Sequence, residues 1–120
     1  VYAQQGNAEA QLKIAECYEH GVCGVELDEK EALRLYQVYA EQGNVKVQNY
    51  LATCYENGRC GVEKNTTEAL QLYTKYAQQG NAKAQYKIAE CYEDGRCGVK
   101  KDEKKALRLY KHFAQQGNTQ

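Results

Sequence analysis

A unit of 37 residues occurs three times in succession along this 120-residue chain, at residues 8–44, 45–81 and 82–118. The first and third copies are identical at 26 of 37 positions, and each copy closes on AQQGN or the near copy AEQGN. A period of about 20–50 residues is typical of stacked supersecondary units that each contact their neighbours. The sequence therefore predicts one repeat domain, built from what we call repeats 1, 2 and 3.

The repeat frame also gives an interpretation of the two ends of the chain. Residues 1–7, VYAQQGN, match the closing segment of a further copy, and residues 119–120 would begin the next one. The chain contains no Met, so the natural initiator is missing. These features predict a slice of a longer array or a processed product.

Each repeat shows the pattern of two helices, with no alternation typical of strands. In repeat 1, apolar residues recur at spacings of three and four over about residues 8–19, which predicts a first helix. Gly21 and Gly24 interrupt that helix. A second helix is predicted to begin at Asp28, whose carboxylate can cap its first turn, and to end near Gly43.

Capping residues refine the predicted boundaries. Glu31 follows Asp28 by three residues, which predicts a capping box; repeat 2 has a similar pair, and repeat 3 has Lys105 in place of the glutamate. Asn44 is predicted to cap the first helix of the next repeat. Only about two residues then connect successive repeats, so neighbouring helices should be antiparallel.

Small and aromatic residues recur at positions that predict the core. Alanines fall where helices should approach closely, at Ala15, Ala52, Ala89, Ala32, Ala69 and Ala106. Tyrosines recur in both helices, at Tyr18, Tyr55, Tyr92, Tyr36, Tyr73 and Tyr110. A buried phenol needs a hydrogen-bond partner, so these rings are predicted to wedge between helices with their hydroxyls at the rim.

This pattern resembles the Sel1-like repeat family, a branch of the tetratricopeptide-like α/α solenoids. The residues of repeat 1 that carry the resemblance are Ala8, Ile14, Ala15, Tyr18, Gly21, Gly24, Val25, Asp28, Ala32, Leu35, Tyr36 and Ala40. The resemblance covers essentially the whole chain. It implies an all-α, right-handed solenoid of helix-turn-helix repeats that acts as an adaptor for other proteins, without general catalytic residues. The turn here is one residue longer than in the family pattern, and the extra residue accompanies a cysteine.

All six cysteines form pairs at the same place in each repeat, Cys17/Cys23, Cys54/Cys60 and Cys91/Cys97. The periodicity favours three local disulfides that pin the turn between the helices. Reduced thiols and a metal site remain alternatives, although two thiols per repeat converge poorly on the four ligands that zinc prefers. Disulfides persist in oxidising settings, so the pairs predict a secreted, periplasmic or lumenal protein. The resemblance to cysteine-bridged bacterial members of the family points the same way.

Outside the cysteine pairs, the sequence shows no pattern for catalysis, cofactor binding or metal binding. It has no Gly-rich phosphate loop and no Ser/His/Asp set, and His20 and His112 lie at non-equivalent repeat positions. Lys and Arg balance Asp and Glu at 16 each, which predicts no nucleic-acid partner. No apolar run of about 18 residues occurs, so no membrane insertion is predicted. We expect a non-enzymatic protein without cofactor.

One sequon occurs, Asn65-Thr66-Thr67, at the predicted start of the second helix of repeat 2. In a eukaryotic secretory protein Asn65 can carry a glycan. The alternative is that Asn65 only caps the helix, since the other two repeats have Asp at this position.

Positions that differ between matching repeats predict a binding surface for a protein or peptide. The resemblance places first helices on the concave surface of the solenoid. Apolar or aromatic residues on this otherwise polar face are candidate contacts: Leu12, Asn49, Tyr50 and Tyr86. The alternative is that Leu12 and Tyr86 only pack against a neighbouring repeat.

Charge changes in one direction along the chain. Repeat 1 has three Lys or Arg against eight Asp or Glu, repeat 2 has four against three, and repeat 3 has nine against five. Repeat 3 carries a basic helix face with Lys101, Lys104, Lys105, Arg108 and Lys111. This face is either solvated or meets an anionic partner, for example Asp28, Glu29 and Glu31 of another copy. Such head-to-tail stacking would not close and would build a filament.

Overall fold

The structure, a computed structural model, describes the backbone of residues 2–118 and the side chains of residues 7–115. Six helices follow in order, α1 (Tyr2–His20), α2 (Glu29–Glu41), α3 (Val45–Asn57), α4 (Thr66–Gln78), α5 (Ala82–Asp94) and α6 (Glu103–Asn118). No strand occurs in this part of the chain. Helices α1–α3 form one compact unit, up to Lys64, and α4–α6 form a second, from Asn65. The predicted start of a further repeat at 119–120 lies outside the described residues.

Helix α1 is longer than the repeat pattern predicts. It begins at Tyr2 and runs through the Gly6–Asn7 pair as one helix, so the predicted start near Ala8 is wrong. At the equivalent pair in repeat 1, Gly43 turns the chain with a φ of +93°. The Asn44 amide then donates to the carbonyl oxygen of Ala8 at 3.0 Å. The Gly6–Asn7 pair makes no such turn and lies within α1.

The second helices begin where predicted, but the capping box of repeat 1 is only half formed. Asp28 Oδ1 accepts the Glu31 N–H at 3.1 Å. The Glu31 carboxylate instead takes two hydrogen bonds from Arg34, at 3.0 and 2.7 Å. The Asp28 N–H donates to the carbonyl oxygen of Tyr18 at 2.8 Å, which removes the need for the reciprocal bond. Single caps of the same kind are made by Asn65, Asp102, Asn44 and Asn81.

The turn between the paired helices contains three residues with left-handed backbone. In repeat 1 these are Gly21, Cys23 and Gly24, with φ of +65°, +61° and +81°. A Cβ on Gly21 would lie 2.9 Å from the Cβ of Leu27, so a glycine is required there for space as well as for conformation. Repeats 2 and 3 have the same three left-handed positions. The longer turn is thus accommodated by left-handed backbone at two glycines and at the cysteine between them.

The core is made of alanines, tyrosines and a few branched residues. The six predicted close-approach alanines are at most 2% exposed. Two glutamines are also buried and were not predicted: Gln48 Nε2 donates to the carbonyl oxygen of Ala40, and Gln85 Nε2 to that of Ala77, each at 3.1 Å. These bonds satisfy carbonyls at the ends of α2 and α4 and fix the helix that follows each one.

Candidate functional site

Each repeat contains one disulfide, as predicted: Cys17–Cys23, Cys54–Cys60 and Cys91–Cys97. Each bond ties the last turn of a first helix to the left-handed cysteine of the turn. The Cα–Cα distances of 5.6, 5.9 and 5.7 Å are typical of disulfides. Cys23 is exposed, whereas Cys60 and Cys97 are buried. No cysteine among the described residues is free, so the reduced-thiol alternative does not apply to this structure.

A buried carboxylate lies at the junction of α1, α2 and α3. Glu19 is only 7% exposed, and its Oε1 accepts the hydroxyl of Tyr36 at 2.7 Å and that of Tyr50 at 2.8 Å. The two tyrosine rings pack against each other with centroids 5.0 Å apart. Tyr36 is completely buried, so the prediction that its hydroxyl lies at the rim is wrong. The hydroxyl of Tyr36 donates its hydrogen bond to the buried Glu19 side chain and not to solvent.

The electrostatics of this cluster favour a structural role. Burial, and then the hydrogen bond to Glu19, raises the pKa of Tyr50 to about 12. The same causes raise the pKa of Tyr36 well above its ordinary value. Both phenols therefore remain neutral donors at physiological pH. Cys60 Sγ lies 3.3 Å from Glu19 Oε2; a disulfide sulfur carries no proton, so this is a packing contact that places the turn of repeat 2 on the cluster.

Repeat 3 has a more open version of the same arrangement. Tyr110 donates its hydroxyl to Glu93 Oε1 at 2.7 Å, and this pair is exposed. The ring of Tyr86 packs against that of Tyr110 with centroids 5.5 Å apart. Tyr86 remains 55% exposed. An aromatic side chain is thus held in a fixed position at the surface of α5.

The structure places the four predicted first-helix contacts in different environments. Leu12 and Asn49 are half-buried. Tyr50 already contacts Glu19 and the ring of Tyr36, and the Arg59 guanidinium lies 5.8 Å from the centre of the Tyr50 ring. Only Tyr86 is largely exposed. The first three belong to the unit of α1–α3 and Tyr86 to the unit of α4–α6, so neither unit brings all four together.

The predicted basic face is largely open to solvent. Lys101, Lys104 and Arg108 are exposed, and none of them forms an ion pair with a described residue. Lys105 is half-buried, and its Nζ lies 4.3 Å from the centre of the Tyr92 ring. A cation over an aromatic face is attracted by the ring quadrupole, so Lys105 is held at a defined place without a neutralising carboxylate.

An open groove of about 630 Å³ lies between α4 and α6, with α5 as its floor. Its apolar lining includes Ile88, Leu109 and Phe113, and Lys105 and His112 line the same groove. The remaining lining residues are Thr74, Ala77, Gln78, Gln79, Gly80, Gln85 and Tyr92. No carboxylate lines the groove, so it offers an apolar surface with cationic and amide groups. Of the predicted partner-binding residues, only Lys105 belongs to it.

Asn65 lies exposed at the start of α4, where its Oδ1 accepts the Glu68 N–H at 2.9 Å. This bond shows the capping role directly and leaves glycosylation of Asn65 as a prediction. No cluster of three or more potential metal ligands of the His, Cys, Asp or Glu type was found among the described side chains. None of the described helices is long and apolar enough to cross a membrane.

The sequence-family comparison identifies the repeat. The family model for the Sel1 repeat matches three times, at residues 8–44, 45–81 and 82–118. The chain belongs to the Sel1 repeat family. Sel1 repeat proteins typically act as non-catalytic scaffolds for protein–protein interaction. No curated protein matches this chain.

Solved structures give the same result for the fold. A Sel1 repeat protein from Oxalobacter formigenes is 36% identical, with a TM-score of 0.71, over 96% of this chain and 46% of its own length. A protective antigen of uropathogenic Escherichia coli with an SLR fold is also 36% identical, with a TM-score of 0.66, over 96% of this chain and 24% of its own length. This Sel1 chain therefore spans less than half of either protein.

A third solved structure is similar in fold alone. Cysteine rich protein B of Helicobacter pylori is 19% identical, with a TM-score of 0.63, over 94% of this chain and 87% of its own length. With six helices and one disulfide per repeat, the predicted all-α solenoid class is confirmed.

The sequence analysis did not predict that the polar side chains of Glu19 and Gln48 are buried and have structural roles. The signal available was identity across repeats, because Glu recurs at 56 and 93 and Gln at 11 and 85. Identity alone does not separate a buried polar residue from a surface one. The hydrogen-bond partners that distinguish them come from another helix.

Proposed function

We propose that this chain is a non-enzymatic scaffold that works outside the cytosol and holds a protein or peptide on its first-helix face. The Sel1 repeats support the scaffold role. One disulfide per repeat supports a secreted, periplasmic or lumenal location, because disulfides persist where the environment is oxidising. The observation that carries the binding face is Tyr86, a large and exposed aromatic side chain held in place on α5.

The surroundings of Tyr86 suit it to anchor a partner. Lys83, Tyr86, Lys87 and Glu90 share one side of α5, because residues three and four apart on a helix are neighbours. Lys87 and Glu90 form a long ion pair at 3.9 Å. The Tyr110 ring already restricts the Tyr86 ring, so binding would order little more of it. Aromatic anchors with restricted rotamers dominate many interfaces.

Selection of peptides from a displayed library against the oxidised chain, followed by calorimetric titration, tests this face. We expect Tyr86→Ala to weaken a selected peptide by about 30-fold, which corresponds to about 2 kcal/mol for a central anchor. Leu107→Ala is the matched control, because Leu107 is 54% exposed but lies on second helix α6. Equal affinity of the Tyr86→Ala variant and the native chain, or a larger loss for Leu107→Ala, would contradict the proposal.

A second candidate function is self-assembly of copies head to tail. It is favoured by the net charge of −5 on repeat 1 and +4 on repeat 3, and by the cations of α6 that have no ion-pair partner among the described residues. Attraction between opposite charges steers and orients association, and salt screens it. A contact between two different surfaces of the same chain builds an open filament unless the rotation closes.

A further inference from the structure

We propose that the groove between α4 and α6 binds the turn at residues 26–29 of a second copy of this chain, with Leu27 in the groove. The inference rests on the second candidate function and names its contact. It is carried by two surfaces of opposite character, one in each unit.

The groove offers an apolar floor beside positive charge. Ile88, Leu109 and Phe113 provide apolar lining, and Lys105 lies at the same groove. Lys104 and Arg108, four residues apart on α6 and outside the groove lining, add further positive charge on the same helix. Because no carboxylate lines the groove, an apolar side chain flanked by acidic residues would find complementary groups there.

The turn before α2 is such a segment. Leu27 is 62% exposed, and the residues on either side of it, Glu26, Asp28 and Glu29, are exposed carboxylates. The close approach of Leu27 to Gly21 fixes the backbone of the turn. A turn that is already ordered loses little conformational entropy on binding.

Both surfaces are particular to one repeat, which gives the contact a direction. The position of Leu27 is Lys64 in repeat 2 and Lys101 in repeat 3, so only repeat 1 presents an apolar residue there. The position of Lys105 is Glu31 in repeat 1 and Glu68 in repeat 2. The acidic turn of repeat 1 would be repelled by those glutamates and attracted by Lys105.

An acidic peptide from another protein would meet the same chemistry in the groove. The second copy is the favoured occupant because the chain carries the complementary segment itself, at a concentration equal to that of the groove. Each copy then uses one turn and one groove. The contact is heterologous, so copies should add in open chains rather than stop at symmetric dimers.

Sedimentation velocity of the oxidised chain over a range of concentrations at low salt tests the proposal. We expect the native chain to associate beyond the dimer, and added salt to weaken this association. Leu27→Lys and Lys105→Glu should each weaken self-association by about ten-fold or more, because each places like charges at the contact. Both variants introduce the residue that another repeat has at the same position, so the fold accepts them.

Mixing the two variants gives the sharpest readout. Leu27→Lys keeps an intact groove and Lys105→Glu keeps an intact turn, so the mixture should associate through one native turn and one native groove, where neither variant does so alone. Lys111→Gln is the matched control: it removes a charge from α6 outside the groove lining and introduces the residue of repeat 1 at that position. It should associate nearly as the native chain does.

The outcomes separate this contact from the function on which it rests. A native chain that stays monomeric at every concentration in low salt overturns both the contact and the self-assembly function. A native chain that associates, with variants that associate equally well or do not combine on mixing, overturns the contact alone. The scaffold function is measured at Tyr86 and does not depend on either result.

Discussion

At the scale of single residues, Glu19 links helices α1, α2 and α3. Its buried carboxylate accepts hydroxyls from Tyr36 in repeat 1 and Tyr50 in repeat 2. Glu93 occupies the same position in repeat 3 but binds Tyr110 at an exposed site. The same residue type therefore has different consequences, because a buried hydroxyl that loses its acceptor cannot turn to water.

Replacing Glu19 by Ala should lower the free energy of unfolding by about 2 kcal/mol, since the buried Tyr36 hydroxyl is left without an acceptor. Glu19→Gln keeps an oxygen acceptor and should lose clearly less. Glu93→Ala is the control at the exposed equivalent and should change stability by about 0.5 kcal/mol or less. Denaturant titration of the oxidised chains measures all three. Equal losses for the Glu19→Ala and Glu93→Ala variants would show that the cluster does not bind the helices together.

The sequence could not predict this cluster. Glu recurs at its position in every repeat, but the second donor, Tyr50, does not recur, since its equivalents are Lys13 and Lys87. A contact between a repeated residue and a unique one leaves no periodic signal. The buried position of Glu19 follows from the packing of three helices, which residue spacing within one helix does not specify.

At the scale of elements, the turn between paired helices is the most constrained segment. The glycines and the cysteine spacing predicted a turn and a local disulfide. They did not predict that Cys23 itself adopts a φ of +61°. A residue with a Cβ is disfavoured in this conformation by about 1–2 kcal/mol, so the disulfide holds a conformation that the isolated segment would rarely adopt.

Two glycines of this turn give a matched pair of variants. Gly21→Ala should destabilise the chain by about 1–2 kcal/mol for the left-handed backbone, plus a further 1–3 kcal/mol for the clash with Leu27. Gly24→Ala should show only the first effect, because a Cβ on Gly24 meets nothing within 4 Å. Thermal and denaturant unfolding of the two variants measures the difference. Equal destabilisation would mean that the close approach of Gly21 to Leu27 is not a constraint.

At the scale of the whole molecule, the 37-residue period predicted the helix order, the family and the disulfide of each repeat. It did not predict the groove between α4 and α6, which depends on how each of these helices packs on α5. The chain-entropy model gives each short-loop disulfide about 2–2.5 kcal/mol of stabilisation, less any strain. Three such bonds are a large share of the roughly 5–15 kcal/mol that stabilises a typical domain.

The central claim is a Sel1 scaffold braced within each repeat by its own disulfide and suited to an oxidising compartment. Peptide mapping by mass spectrometry tests it most directly, on unreduced protein from the source cell with free thiols blocked at lysis. The expected result is three bonds, Cys17–Cys23, Cys54–Cys60 and Cys91–Cys97, with no blocked thiol. During gradual reduction, the bond to exposed Cys23 should open first. Blocked thiols in the native material, or bonds that join different repeats, would contradict the claim.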